Sequence, residues 1–454
     1  MVSAVAAPAV RRARRIGAGL VLAGLGAAAG FGAAAGPAAA RFTFGEGAGG
    51  AGVGVPGRGG AVAFGVLAAL AGAALLLPRP GAADPAGGAP ADGAAGAGGG
   101  AAAGGGSAGG AGGERVRRRV ERVLLGVGVI GVVLSFLCWQ VSAAPAGQNF
   151  LPLASTLRGT FLLALPLIFG ALGGVLCERS GVVNVAIEGQ LLMGAFGGAL
   201  LGTLAQSPWV GLVAAALGGV LVSALLAVFA IRYLVDQVVL GIVLNLLAIG
   251  LTGFLYERLM QTDQVRYNEP PKFAEWQLGP LADLPVLGPV LGRGTLFAYL
   301  AVALVVALHL GLARTRWGLR TRAVGEHPTA ADTVGVRVRR LRYRNVLAAG
   351  AVAGVGGASY TLVSFSFTKD MIGGKGFIAL AALIFGRWSP VGALLAALFF
   401  GFADQLQTYL GTIDSVIPSE FLQMLPYLAT ILAVAGLVGR VRAPAADGKP
   451  YAGH

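Results

Sequence analysis

Long apolar stretches separated by short polar ones are the dominant pattern along this chain. Between residues 123 and 439 most apolar runs have the length, about 17 to 25 residues, that crosses a hydrocarbon core of about 30 Å as a helix. Their approximate ranges are 123–141, 157–177, 185–206, 210–231, 238–256, 294–313, 346–367, 391–410 and 424–439. The pattern predicts an all-α polytopic membrane protein.

One shorter apolar piece, Phe377–Phe385, changes the number of crossings. The arginines before Val346 and those from Arg440 onward indicate the same side of the membrane, so an even number of crossings must lie between them. Phe377–Phe385 supplies the fourth. It is too short to span alone, and we expect it to tilt, to use flanking residues or to form a half-helix against other helices. The core then has about ten membrane segments.

The first 113 residues have a different composition. Apolar runs at 16–40 and 61–77 predict two further helices, so residues 1–77 are a helical pair. The first run could instead be a signal peptide cleaved near Ala40, but it is longer than a usual signal segment. Residues 78–113 are nearly all Gly, Ala and Pro, which predicts a disordered linker. A transmembrane domain at 114–442 and a tail at 443–454 complete the division, and we expect deletion of residues 1–113 to leave the core working.

Charge gives the orientation and excludes a soluble enzyme. Only 12% of the residues are charged, against about 25% in soluble domains. The net charge of +14 comes from basic residues beside membrane segments. It therefore indicates membrane orientation and contact with lipids rather than binding of nucleic acid. The loop 257–293 has four basic and five acidic residues and is predicted to be external. The loop 314–345 has nine arginines and two acids, which predicts a cytoplasmic loop.

Residues that carry chemistry are few. Gly373–Gly376 lacks the spacing of a phosphate-binding loop, so we expect no ATP hydrolysis by this chain. The three histidines have no cysteine or carboxylate companions at metal-ligand spacing, and Cys138 and Cys177 lie in apolar runs, typical of small buried residues. Trp139, Trp209, Trp317 and Trp388 lie near predicted helix ends, which favours an aromatic belt. We therefore predict no catalytic residue, no metal and no bound cofactor.

Polar residues interrupt the apolar sequence twice, at Glu178–Gln190 and around Lys375. Such breaks in corresponding parts of two halves indicate a transporter's substrate site. Since polar groups in a membrane usually face a bundle interior or a water-filled path, the candidate path residues are Asn184, Glu188, Gln190, Asn245, Lys375, Asp404 and Gln407.

Each candidate also has a structural interpretation. Asn184 can cap a helix, Glu188 can sit near a helix N-terminus, and Asn245 can form an interhelical hydrogen bond. The residues from Asp404 to Gln407 can lie at the external interface, and Lys375 and Arg387 can be interfacial anchors.

The cytoplasmic loop carries the most specific pattern. Gly318–Val336 (GLRTRAVGEHPTAADTVGV) resembles the ATPase-coupling loop of ATP-binding-cassette permeases in the branch that imports simple sugars and nucleosides. Cys177–Gln190 and Gly374–Pro390 resemble two signatures of its nucleoside-importing members. The coupling residues implied by the resemblance are Gly325, Glu326, Pro328, Ala330, Ala331, Asp332 and Gly335. The N-terminal extension and His327, where Asn is expected, depart from the pattern.

The resemblance implies a permease subunit of a bacterial cytoplasmic-membrane importer that moves a nucleoside by alternating access. It also implies a cytosolic ATPase that uses the ATP, a second related permease and an extracytoplasmic substrate-binding lipoprotein. A monosaccharide such as ribose is the alternative substrate. A secondary transporter would need coupling carboxylates within helices, of which the chain has few, and a membrane-bound enzyme would need a catalytic constellation.

Overall fold

The computed structural model describes residues 3–36, 38–44, 52–77, 108–145, 150–283, 292–413 and 442–452, with the single residues 288, 418, 421 and 424. The predicted span 424–439 therefore lies almost entirely outside the described residues, as do residues 78–107 of the predicted linker 78–113, whereas residues 108–113 belong to a helix. The described chain forms two compact units. One comprises the described parts of 1–42, 52–151 and 413–416, and the other those of 43–51, 152–412 and 417–454.

The first unit is a group of three packed helices, α1 (Ser3–Ala34), α2 (Gly57–Leu76) and α3 (Ala108–Ala143). Strands β1 (Ala39–Thr43), β2 (Gly52–Pro56) and β3 (Phe150–Pro152) form a sheet in the order β2-β1-β3. The two predicted N-terminal helices are confirmed. A boundary at residue 114, however, cuts through α3, which packs on α2 and bonds to it through Ser135 Oγ and the Ala61 carbonyl (2.6 Å).

The described residues of the second unit form seven helices of 18 residues or more and one shorter apolar helix. They are α4 (Leu153–Glu178), α5 (Ile187–Leu204), α6 (Pro208–Ala227), α7 (Gln237–Leu255), α9 (Leu296–Arg314), α12 (Val338–Thr361), α13 (Lys375–Phe385) and α14 (Pro390–Thr412). One π-helical turn follows α6 at Val228–Arg232, and another follows α7 at Tyr256–Met260. Helix α7 begins where the Asp236 side chain accepts hydrogen bonds from the N–H groups of Val238 and Val239, which otherwise have no intrahelical partner.

Helices α4 and α5 form the centre of this unit. In their most apolar windows 89% and 78% of the residues are buried, against 33–39% in α6, α7, α9 and α14. Helix α12, which is rich in Gly and Ala, packs against α4, α5 and α6. Because small side chains let helix backbones approach closely, this helix occupies the interior. The outer helices keep an apolar side exposed, as expected for contact with lipid.

Nine helices in the described ranges are long and apolar enough to cross a membrane, and α13 is a shorter apolar helix. The prediction of an all-α polytopic membrane protein is confirmed. The span predicted at 346–367 differs from helix α12, which covers 338–361. It starts earlier because Arg342 and Asn345 are buried by neighbouring segments. It ends earlier because Lys272 Nζ bonds the carbonyls of Thr361 (2.6 Å) and Phe365 (2.7 Å).

The polar loops lie at opposite ends of α9. Before it come α8 (Gln264–Tyr267), a 3₁₀ turn at Gly279–Asp283, and the antiparallel pair β4 (Trp276–Gln277) and β5 (Arg293–Gly294). After it come α10 (Arg316–Glu326) and α11 (Pro328–Thr333). The Thr315 hydroxyl accepts a bond from the Gly318 N–H and so caps the start of α10.

Candidate functional site

The first polar break, Glu178–Gln190, contains the non-helical stretch 179–186 between α4 and α5 and is held by a pair of side-chain amides. Asn184 Nδ2 donates to Gln190 Oε1 (3.0 Å), and Gln190 Nε2 donates to Asn184 Oδ1 (3.1 Å). Gln190 Nε2 also donates to Ser223 Oγ on α6 (2.8 Å). All three residues have no exposed surface. The amide pair therefore fixes the break against α6 from inside the unit.

Glu188 joins the first break to the second. Its carboxylate accepts hydrogen bonds from the N–H groups of Gly374 (2.8 Å) and Gly376 (2.6 Å). These N–H groups lie at the start of α13, where a helix leaves its first donors without intrahelical partners. The approach needs glycine at 376, because a Cβ there would collide with the backbone of Glu188. A carboxylate in α5 thus caps the half-helix α13.

Helix α7 bonds further backbone groups of the first break. Asn245 Oδ1 accepts from the Gly189 N–H (2.8 Å), and its Nδ2 donates to the Val185 carbonyl (2.9 Å). Gln237 Oε1 accepts from the Val183 N–H (2.7 Å). In a bilayer, unwound backbone is tolerated only where such partners exist. We call Asn184, Glu188, Gln190 and Asn245, with the backbone that they bond, the buried junction.

The structure places four of the predicted path residues, those of the junction, inside the unit. Their side chains are each 3% exposed or less, because α6, α7 and α13 cover α5. They do not line an open path in this conformation. Asn184 does not cap α5 either, since the cap position is Ala186, which makes no side-chain bond. Asn245 has the interhelical hydrogen bonds of its structural interpretation.

Lys375 and Asp404 lie in a different environment. Lys375 Nζ on α13 is 3.3 Å from Asp404 Oδ2 on α14, and their side chains are 24% and 16% exposed. The ring centroid of Tyr360 on α12 lies 5.5 Å from Lys375 Nζ. Gln407 is half-buried on α14, within one turn of Asp404. We call Lys375 and Asp404 the accessible pair, because both side chains keep some exposed surface.

Glu178 and Trp388 form a buried contact that the sequence interpretation missed. Trp388 Nε1 donates to Glu178 Oε2 (2.5 Å), and the Asn184 N–H donates to Glu178 Oε1 (3.4 Å). Arg387 and Trp388 both have positive φ angles, 54° and 51°, and this turn directs the indole into the unit. The assignment of Trp388 to an aromatic belt is therefore wrong. The GRWSP turn after α13 was the available signal.

The predicted coupling loop forms two short helices. Helix α10 ends at Glu326, and α11 has Pro328 at its first position, where proline's missing N–H costs nothing. Gly325 is buried, and a Cβ there would collide with the carbonyl oxygen of Arg179. Gly335, with φ of 84°, follows the end of α11. The loop is thus a defined element packed against the first break.

Helix α11 has one packed face and one free face. Ala331 is buried, and Asp332 is half-buried. Thr329, Ala330 and Thr333 are exposed, and Val334 just beyond the helix is 78% exposed. A short helix that presents small and apolar side chains to solvent suits docking in a partner's groove.

Metal-binding chemistry has no candidate in the described part of the chain. No group of three or more His, Cys, Asp or Glu side chains there could hold a metal ion. Cys138 and Cys177 are both buried and unbonded to each other.

Comparison with known proteins gives a consistent result. The family described as branched-chain amino acid transport system / permease component matches residues 156–434. Guanosine ABC transporter permease protein NupQ of Bacillus subtilis is 43% identical over 306 residues, which cover 64% of this chain and 94% of that protein. Nucleoside ABC transporter permease protein NupC of Lactococcus lactis is 41% identical over 300 residues, with the same coverages of 64% and 94%.

A sugar-transporter relative is more distant. Glucose ABC transporter permease protein TsgB13 of Haloferax volcanii is 29% identical over 297 residues, which cover 62% of this chain and 77% of that protein. No solved structure matches the chain. All three relatives carry the word permease in their names, so the similarity extends across proteins named for different solutes.

Proposed function

This chain belongs to the branched-chain amino acid transport system / permease component family, and from that premise we propose that it is the permease subunit of an importer that moves a nucleoside by alternating access. The observation that supports the substrate class is the 43% identity to a guanosine transporter permease over 94% of that protein. The chain is a multi-pass membrane protein, and nine helices in its described residues are long and apolar enough to cross a membrane.

The accessible pair is the proposed contact with substrate. Lys375 donates and Asp404 accepts hydrogen bonds, and a nucleoside offers ribose hydroxyls and base edges to both. The Tyr360 ring beside Lys375 adds an aromatic surface, and Gln407 adds an amide within one turn of Asp404. The buried junction then has a supporting role, since it fixes the start of α13 from which Lys375 projects.

Energy enters through α11. Its exposed side, with Ala330 and Val334, docks in a groove of a cytosolic ATPase, while Gly325 and Ala331 hold the other side against this chain. ATP is hydrolysed by that partner, and this chain binds no cofactor itself. Nucleotide-driven motion of the ATPase moves α11 as a rigid element.

ABC permeases work with ATPase and substrate-binding partners. For this chain we propose a second related permease, an extracytoplasmic lipoprotein that delivers the nucleoside, and a bacterial cytoplasmic membrane. Residues 442–452 contact α10 and α11, so a cytoplasmic coupling loop makes this segment cytoplasmic too. The positive charge is assigned to orientation and lipid contact rather than to nucleic acid.

The test is ATP hydrolysis by the reconstituted complex with its ATPase and binding protein. Guanosine and other nucleosides should stimulate hydrolysis and uptake, whereas glucose and ribose should not. Stimulation by a sugar alone would favour the alternative that the similarity to TsgB13 supports. Uptake that continues without ATP would contradict the importer mechanism itself.

A further inference from the structure

The segment of residues 442–452 runs along the coupling loop. The Ala446 N–H donates to the Gly325 carbonyl (2.8 Å), and the Ala445 N–H donates to Glu326 Oε2 (3.2 Å). Tyr451 OH donates to Asp332 Oδ2 (2.7 Å). The segment therefore bonds the loop both before α11 and inside it.

Tyr451 also packs against three helices, α10, α11 and α12. Its ring is 8% exposed and belongs to a small apolar cluster with Val324, Ala331, Val338 and Leu341. The Arg342 guanidinium carbon lies 5.9 Å from the ring centroid, within the range of a cation–π contact. Ala331, the buried residue of α11, thus has Tyr451 in its apolar cluster.

The same segment reaches the base of the first break on its other side. Asp447 lies beside Glu178, the last residue of α4. Arg342 connects the first break to the segment 442–452. Its Nε donates to the Ser180 carbonyl (3.1 Å), and its Nη1 donates to the Lys449 carbonyl (3.4 Å). Gly448, with φ of 73°, makes the turn between Asp447 and Lys449.

We propose that residues 442–452 are a brace that positions α11 and connects it to the end of α4, with Tyr451 as the positioning residue. The inference rests on the proposed coupling role of α11. A helix of six residues has little stability of its own, because nucleating a helix costs more than one turn returns. Contacts outside α11 must therefore hold it when a partner pushes on it.

The test is a double-mutant cycle in the complex with its ATPase. Tyr451→Phe removes only the hydroxyl, Asp332→Ala removes the acceptor, and Asp332→Asn keeps an acceptor oxygen. We expect the ratio of substrate-stimulated to basal ATP hydrolysis to fall about fivefold in the first two, which corresponds to about 1 kcal/mol. Their double variant should be no worse than either single one, and Asp332→Asn should be close to the parent.

Tyr299→Phe is the matched control, because that tyrosine hydroxyl also donates to a carbonyl, of Trp276 (3.3 Å), but at the other end of α9. It should leave the ratio unchanged. An unchanged ratio in Tyr451→Phe and in Asp332→Ala would overturn the brace. Additive losses in the double variant would overturn it as well, since the two side chains would then act separately.

Val334→Asp separates this inference from the proposed function. If this exposed substitution abolishes ATPase binding while Tyr451→Phe has no effect, α11 docks the ATPase and only the brace is wrong. If Val334→Asp leaves ATPase binding and uptake intact, the coupling role of α11 fails, and the brace fails with it. A fivefold loss in Tyr451→Phe with ATPase binding retained supports both.

Discussion

The buried junction and the accessible pair use the same kinds of residue in the same membrane domain, yet they differ in what satisfies them. Every junction side chain forms hydrogen bonds with other groups of this chain. Glu188 and Asn245 bond backbone groups of another segment, and Gln190 bonds Ser223 on a neighbouring helix. Lys375 and Asp404 bond each other and remain partly exposed. Burying a polar residue in a membrane helix costs free energy. In the junction, hydrogen bonds within the fold offset this cost. In the accessible pair, an ion pair that a substrate could replace offsets it.

The exposure of a polar side chain, rather than its polarity, therefore distinguishes residues that stabilise the fold from candidates for substrate contact. Glu188 carries a carboxylate as Asp404 does, but both of its oxygens are bonded to the start of α13. In Asp404, one carboxylate oxygen accepts a hydrogen bond from the Lys375 ammonium group, and a substrate hydroxyl could replace that donor. Transport assays on their own would confuse the two roles, because we expect loss of either residue to reduce uptake. Stability has to be measured beside transport.

The largest effect is expected from Glu188→Leu. The substitution leaves two buried N–H groups without acceptors, each costing about 1–3 kcal/mol. We expect a lower midpoint of thermal unfolding in detergent and less folded protein in the membrane. Glu188→Gln keeps one acceptor oxygen, so its unfolding midpoint should fall between the parent and Glu188→Leu.

A Glu188→Leu protein with normal stability that transports nothing would reverse the comparison, since Glu188 would then act on substrate. Gly376→Ala provides a second test of the junction, because its Cβ would meet the Glu188 backbone and should also destabilise. Gly250→Ala is the matched control. A Cβ at Gly250 meets nothing within 4 Å, and alanine favours a helix over glycine.

The accessible pair should show the opposite combination of results. Lys375→Met and Asp404→Asn each remove one charged hydrogen-bonding partner, worth about 1.5–3 kcal/mol. We expect nucleoside uptake per folded transporter to fall about tenfold to a hundredfold. The unfolding midpoint should change little, because the pair is partly exposed. Uptake and fluorescence-detected size exclusion on the same preparations measure both quantities.

Lys369 and Glu257 supply the control for this prediction. They form the same kind of ion pair (2.6 Å), but their side chains are 58% and 53% exposed. Lys369→Met should leave uptake and stability unchanged, as is usual for surface pairs. Equal losses of uptake in Lys369→Met and Lys375→Met would show that charge in general, rather than the accessible pair, supports transport.

Cysteine labelling measures accessibility directly, with a smaller expected effect on function. In intact membranes, Asp404→Cys should react with a small polar thiol reagent and should be protected by nucleoside. Gln190→Cys should stay unlabelled, because position 190 has no exposed surface. The native Cys138 and Cys177 are buried and give the background. Labelling at 190 that nucleoside blocks would place the junction on the substrate path.

The smallest effect on transport concerns Asp447, a half-buried carboxyl group beside Glu178. Burial and, to a smaller extent, the adjacent Glu178 carboxyl together raise the pKa of Asp447 to about 8, although the Gly448 N–H and the Arg342 charge oppose the rise. The docked segment therefore holds a proton that the free segment, with an ordinary pKa of about 4, releases. Docking should be strongest below pH 4 and should weaken as the pH rises toward 8, by at most about tenfold per unit.

Limited proteolysis of residues 442–452 from pH 6 to pH 9 measures this dependence. Cleavage should accelerate with pH in the parent beyond the change in protease activity. Asp447→Asn, which stays neutral, should give a flatter profile. Greater protection at high pH would mean that the charged carboxylate is the docked form.

Much of this architecture follows from the sequence for a simple reason. Apolar runs of bilayer length specify membrane helices wherever they occur, so the spans from α4 to α7 are predicted within a few residues of their observed ends. The two polar breaks, the short α13 and the coupling loop are local patterns as well. The charge of the arginine-rich loop 314–345 predicted its side of the membrane. Within it, Gly325 lies near the end of α10 and Pro328 is the first residue of α11.

Only the tertiary structure decided which polar atoms meet. Glu188 bonds N–H groups 186 and 188 positions away in the chain, and Glu178 bonds Trp388 at a separation of 210. No local periodicity reports contacts across such separations, and a carboxylate that caps a distant half-helix has the same sequence signature as one that binds a substrate. Tyr451 and Asp447 carry no motif at all, and their role depends on where the segment 442–452 packs. The sequence determined where this chain crosses the membrane and where the helices break, because those depend on local apolar length. Packing alone determined which of its polar side chains are left for another molecule.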